Sequence, residues 1–262
     1  MNSFLKASNL FDTTFDPSEY FESLSAETTK NLLVQAMSDK KAPLIFLLGE
    51  SGVGKTYMLN VVQDILNEKK FLFATDPFST PESFLHFLLL DFIYDKSANL
   101  SELKEKVIEV YKDEDRVVII DEAQLLDETV LEFIRILADT EHFTFVLSMH
   151  KQEGEEILKK QHFLSRNHRV IVLEKLSDYE ISKYIASKLL KNNLGELGDL
   201  FQKKQIKYIQ KFSQGNFRNT KQILKHTFSI MDYALSNNHK KYITPTKYVI
   251  TMSAIDLGLL DV

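Results

Sequence analysis

The sequence is 262 residues long, 44% hydrophobic and 26% charged, with 8 glycines, no cysteine and a formal net charge of −5. That length can bury a sizeable core as one large or two smaller domains, and the missing cysteines exclude disulfide scaffolds, zinc–thiolate sites, iron–sulfur clusters and thiol nucleophiles. The charge argues against simple charge-driven binding to DNA or anionic membranes, but it is unevenly spread: residues 1–175 carry 19 Lys+Arg against 30 Asp+Glu, and residues 176–262 carry 13 against 7.

The first sixteen residues have no basic stretch followed by an apolar one, so no secretory leader is expected. Short β-branched or aromatic runs then alternate with helical patterns. Strand 44–48 is followed by helix 56–68, strand 71–73, a helical segment 81–94 opening on Thr80-Pro81, and helix 102–111. Strand 117–120, helix 128–138, strand 143–147, helix 155–160 and strand 170–173 complete the series. Such alternation implies βαβ units, a mostly parallel sheet and helices on both faces. The apolar stripe of residues 84–94 is expected to pack on the sheet; it contains His86 and Asp91 and is far short of the ~20 residues of a bilayer span. A cytoplasmic location is expected.

After Leu173 the strand signals stop. Ser177 and Glu180 match a capping box, opening a helix to about residue 190; helices 202–212 and 219–235 follow, and a last one begins at Thr244-Pro245. The charge changes sign at the same place, so residues 1–175 are expected to form an α/β domain and residues 176–262 a small all-α domain.

Three of the eight glycines lie within six residues. Gly49-Glu50-Ser51-Gly52-Val53-Gly54-Lys55-Thr56 matches G-x-x-x-x-G-K-[ST] at every defined position, between a strand and a helix. Gly52 and Gly54 can take positive φ and curl successive N–H groups into an anion nest, while the following helix, with Tyr57 in its first turn, points its positive end at the same phosphates. Lys55 adds charge at the β- and γ-phosphates, and Thr56 is a Mg2+ ligand. The bland alternative is a Gly-rich strand-to-helix turn; a nucleophile elbow fails because Val53 stands where its second glycine belongs. Sixty-five residues past Thr56, strand 117–120 runs into Asp121 and Glu122. Asp121 is expected to hold Mg2+ through water, and Glu122 to take a proton from the water attacking the γ-phosphate. Together these predict ATP hydrolysis rather than binding alone.

This pair of motifs resembles the AAA+ ATPases, and the Asp121-Glu122-Ala123-Gln124 run and the order of elements after it resemble the ExeA/GspA-type ATPases of bacterial general secretion and related transposition ATPases. Residues 15–25 resemble that family's leading segment, and residues 243–258 its last lid helix. The resemblance implies a P-loop parallel sheet with a helical lid, ATP and Mg2+ as ligands, and a homo-oligomer. Gly215-Asn216-Phe217-Arg218 resembles the sensor-2 turn, whose arginine reaches the γ-phosphate; the alternative is an exposed arginine after a turn. Arg166 and Arg169 stand where the superfamily keeps an arginine finger that enters a neighbouring subunit's site. Sensor 1 falls on Ser148 or His150, where the related ATPases carry Gly-Gln. Tyr20 and Phe21 are adenine neighbours by resemblance, and core aromatics by residue type.

The resemblance further implies service to a membrane-associated machine at the inner membrane. With the sequence ending on its lid, attachment is expected through a membrane-protein partner. A DNA-bound role is the alternative, suggested by Lys203, Lys204, Lys207, Lys211, Arg218, Lys221 and Lys225. The seven histidines lack metal-helix spacing.

Overall fold

In a computed structural model, the structure describes residues 3–12, 20–39, 42–160 and 167–260. The elements run α1 (Ser3–Leu10), α2 (Leu24–Asp39), β1 (Leu44–Leu48), α3 (Lys55–Ile65), β2 (Lys70–Ala74), α4 (Pro81–Leu88) and α5 (Leu100–Tyr111). Then come β3 (Arg116–Ile120), α6 (Glu128–Ala138), β4 (Thr144–Met149), α7 (Lys151–Leu158) and β5 (His168–Val172). Four long helices close the chain: α8 (Asp178–Lys191), α9 (Lys203–Ser213), α10 (Phe217–Ser236) and α11 (Lys247–Asp256). Among the described residues no helix is long and apolar enough to cross a membrane.

Two compact units form. One comprises Thr28–Gly49 and Lys55–Leu173; the other comprises Met1–Glu27, Glu50–Gly54 and Glu174–Val262. The helical unit therefore starts two residues before the sequence-based boundary and also takes in segments expected within residues 1–175. Its extra N-terminal part has a physical cause: Phe4, Ala7 and Phe11 form a helically spaced apolar stripe that is buried with Phe228, Met231 and Tyr184.

In the sheet unit all five strands are parallel, in the order β2-β3-β4-β1-β5. Every residue of β1, β3 and β4 is buried, as expected for central strands of a sheet covered on both faces, while the edge strands β2 and β5 are half exposed. One face carries Leu44, Phe46, Phe145, Leu147, Val118 and Ile120 into a core with α4, α5 and α6. Leu89, Phe92 and Tyr94 also join that core, but the expected helix 81–94 stops at Leu88. The chain folds back there: His86 Nδ1 lies 2.9 Å from the Tyr94 hydroxyl, and Asp91 bonds the buried Arg116 at 2.6 Å. Helix α7 begins four residues earlier than expected, because it runs through Gly154 instead of starting after it.

In the helical unit, Phe11 stacks on Phe228 at 5.7 Å and meets the edge of Tyr184 at 5.9 Å. The Ser177–Glu180 capping box opens α8 as expected, with a contribution the sequence did not indicate. Ser25 donates to Glu180 Oε1 from both its hydroxyl (2.8 Å) and its N–H (3.1 Å). Burial alone would raise the Glu180 pKa, but the donors from Ser177 and Ser25 outweigh it and hold the carboxyl at about 2.

Candidate active site

Within the sheet unit, the site grows from the carboxyl ends of β1, β3 and β4, which lie side by side. Gly49 follows β1 and Lys55 opens α3. Lys55 is buried and donates from Nζ to the Gly49 carbonyl at 3.0 Å. Thr56 Oγ1 donates to Asp121 Oδ2 at 2.5 Å, closing the 65-residue gap between the two motifs. Asp121 is buried just past β3, its N–H bonded to Ala74 O at 2.9 Å and its Oδ1 accepting the Glu122 N–H at 3.0 Å. A parallel sheet exposes such strand ends to ligands.

Glu122 sits in the left-handed region at φ 50°, ψ 36°. For a residue with a Cβ this conformation costs about 1–2 kcal/mol, and such cost concentrates at functional positions. The Glu122 side chain does not hang free. Gln124 Nε2 donates to its Oε2 at 2.5 Å, and His150 Nε2 lies 3.4 Å from the same oxygen. Gln124 Oε1 in turn accepts the His150 main-chain N–H at 3.3 Å.

Within the helical unit, Gly52 and Gly54 have φ of 77° and 106°, the backbone an anion nest requires. The Arg218 N–H donates to Gly52 O at 3.0 Å and Asn216 Nδ2 to Ser51 O at 2.5 Å, while Asn216 Oδ1 caps α10 through the Asn219 N–H at 3.1 Å. A Cβ on Gly52 would come within 2.8 Å of Asn216 Oδ1, so the position demands glycine for space as well as for φ. Gly215, at φ 74°, is equally constrained: a Cβ there would lie 2.4 Å from Leu176 O. Glu50 pairs with Lys175 at 3.6 Å, Val53 is buried, and the Arg218 side chain is exposed.

The two sensor-1 candidates separate. Ser148 is fully buried inside β4, opposite Leu47, and its Oγ has no hydrogen-bond partner among the described residues; His150 stands beyond the strand against Glu122. Of the finger candidates, Arg166 lies outside the described residues. Arg169 is half-buried near the start of edge strand β5, opposite Ile45, toward the sheet end away from Gly49. Tyr57 is half-buried in the first turn of α3. Phe21 packs edge-on to Tyr184 at 5.2 Å, a core placement, and Tyr20 is half-buried beside it in sequence. Residues 15–19 of the leading segment lie outside the described residues.

The sequence assigned no role to Gln124 or Asn216, although both stand inside its motifs. Among the described residues no cluster of three or more His, Cys, Asp or Glu side chains gathers to hold a metal. Mg2+ bound with a nucleotide needs only one or two carboxylates because phosphates and waters supply the rest. The adjoining Thr56 hydroxyl and Asp121 carboxylate are hard oxygen donors that fit it.

The parallel five-stranded sheet, its flanking helices and the helical C-terminal region make up the P-loop AAA+ fold. Residues 38–158 match the family model described as an AAA domain. No curated protein matches the sequence. Among solved structures, Drosophila ORC bound to DNA is similar with a TM-score of 0.64 at 12% identity, over 96% of this chain and 65% of that one. A Walker-type ATPase of Pyrococcus abyssi gives 0.60 at 14% identity, over 95% and 76%. Cdc6p from Pyrobaculum aerophilum gives 0.60 at 14%, over 88% and 66%. This chain thus spans less than two thirds of the length of the first and third of these. At such identities the likeness is one of fold.

Proposed function

We propose that this protein binds ATP with Mg2+ on residues 49–56 and hydrolyses it, coupling turnover to a change in conformation or assembly. The observation that carries this reading is the hydrogen bond from Thr56 to Asp121, which joins phosphate loop and acidic pair with Glu122 alongside. The loop amides and Lys55, exchanging the Gly49 carbonyl for phosphate oxygens, hold the triphosphate. Thr56 directly, and Asp121 through water, are the residues that would hold Mg2+, whose chemistry when bound is to neutralise phosphate charge. Glu122 accepts a proton as the water oxygen bonds to the γ-phosphorus. The bond from that phosphorus to the β–γ bridging oxygen breaks, and ADP and phosphate leave. Arg218, whose N–H binds the loop at Gly52, is the candidate to meet the γ-phosphate. Arg166 or Arg169 would act in a neighbouring subunit of a homo-oligomer.

Phosphate release across a range of protein concentrations tests this. Wild-type specific activity is expected to rise with concentration, and Arg166→Ala or Arg169→Ala to abolish the rise. Lys55→Ala is expected to abolish ATP binding. Turnover by Glu122→Gln equal to wild type overturns the assignment of the base, and activity independent of concentration overturns the shared site.

For the wider role we favour the ExeA/GspA-type reading: a cytoplasmic ATPase serving a secretion, pilus or DNA-uptake machine, peripheral at the inner membrane through a partner protein. The Asp121–Gln124 run and the order of the lid elements support it. Retention of the native protein in the soluble fraction would count against it. A DNA-associated role of transposition-helper or initiator type has its own observation. Lys203, Lys204, Lys207 and Lys211 are exposed along α9, whose opposite face buries Ile206, Ile209 and Phe212, and none has an ion-pair partner among the described residues. One structural neighbour is also DNA-bound. Four phosphate contacts would give a log–log salt slope of about −3 to −4 in a gel-shift titration; no shift at low salt removes this reading.

A further inference from the structure

The environment of Glu122 contains a device that the two nucleotide motifs do not explain. Glu122 follows β3 in a left-handed backbone conformation, so its side chain is not directed by the strand. The carboxylate is instead fixed by Gln124, the middle residue of the short turn 123–125 and two positions along the chain. Gln124 is bound at both ends. Its two partners also dictate the orientation of the amide: a carboxylate only accepts and a main-chain N–H only donates, so Nε2 must face Glu122 and Oε1 must face residue 150. The amide therefore ties the end of β3 to the end of β4. His150 reaches the same Glu122 oxygen with its ring, at 3.4 Å, and its ring also faces Glu153 at 3.9 Å.

We infer that Gln124 is the positioning residue of the catalytic base: anchored on the His150 N–H, it holds the Glu122 carboxylate where an attacking water is activated. This inference rests on the reading of Glu122 as base. One carboxylate oxygen, Oε2, is committed to Gln124, and Oε1 is left to receive the proton. Aiming by a bridge matters because misplacement of a reacting group by about 1 Å can cost on the order of 100-fold in rate. The anchor is a main-chain group, so side-chain truncation at position 150 leaves it in place. His150 has φ −63° and ψ 146°, a conformation proline adopts, and it follows the strand residue Met149, so His150→Pro removes the N–H with the backbone path unchanged.

The experiment measures steady-state kcat and KM for ATP, with fluorescent-ATP affinity as the binding and folding control, in four variants. Gln124→Ala and the near-isosteric Gln124→Glu, which cannot donate to a carboxylate when ionised, are expected to lower kcat about 10- to 100-fold with KM and affinity within about twofold of wild type. His150→Pro is expected to lower kcat about three- to tenfold further than His150→Ala, the factor expected for one net hydrogen bond. Wild-type kcat in Gln124→Ala, a raised KM with unchanged kcat, or equal rates for His150→Pro and His150→Ala overturns the inference. Should Gln124→Ala fail to fold, Gln124→Glu and the His150 pair decide it. Equal turnover by wild type and Glu122→Gln would instead remove the base itself, and the positioning role with it; this separates failure of the underlying reading from failure of the bridge.

Discussion

At the carboxyl edge of the sheet, the proposed site is built of side chains held by side chains: Thr56 on Asp121, Gln124 on Glu122. In the helical unit the corresponding contacts are largely main-chain, through the Gly52 carbonyl, the Arg218 N–H and the positive φ of Gly52, Gly54 and Gly215. The contrast follows from packing. Fully buried parallel strands cannot spare backbone groups, so only what projects beyond their ends can bind, whereas loops and helix-opening turns leave peptide groups to offer. Substitutions at the sheet edge should therefore change chemistry and leave the fold, and those in the helical unit should change stability first.

The largest effect is expected for Glu122→Gln. Turnover measured by phosphate release should fall about 100-fold or more, while fluorescent-ATP binding and the unfolding midpoint stay near wild type. A large loss of stability would break the comparison. Next comes Glu180→Gln. The Glu180 pKa lies at about 2, below its ordinary 4.5, so its stabilisation is complete above about 4.5 and is lost as pH falls through about 2. Its loss should cost roughly 2–3 kcal/mol at neutral pH, and urea unfolding of variant and wild type should converge between pH 4.5 and 2. A cost unchanged at low pH would assign the effect to packing.

Gly52→Ala is expected to cost about 1–3 kcal/mol, since alanine is strained at positive φ and its Cβ meets Asn216. Thermal unfolding with and without Asn216→Ala sharpens this: relief in the double variant identifies the clash, and its absence identifies φ alone. The smallest effect, about 1 kcal/mol, is expected for Asn216→Ala, which removes the cap of α10. Asn216→Asp should keep the cap but lose the donor to Ser51, so ATP affinity measured across both variants separates cap from loop contact.

Sequence by itself determined the α/β-then-helical order, the alternation that makes a parallel sheet, the phosphate loop and the acidic pair. These are local: a nest needs glycines a residue or two apart, and a strand followed by two carboxylates is a contiguous pattern. The sequence pattern places the end of α4 and the start of α7 elsewhere than the structure does, where local signals compete with tertiary contacts, at the His86–Tyr94 fold-back and at Gly154. Only the tertiary structure decided that residues 3–12 join the helical unit, that Ser25 completes the Glu180 cap, that His150 rather than Ser148 stands at Glu122, and that Gln124 bridges two strand ends. Each depends on neighbours 26 or more residues apart in the chain, up to 221 for Ser8 and Ser229, and a partner at that distance leaves no periodicity or spacing for a sequence to display.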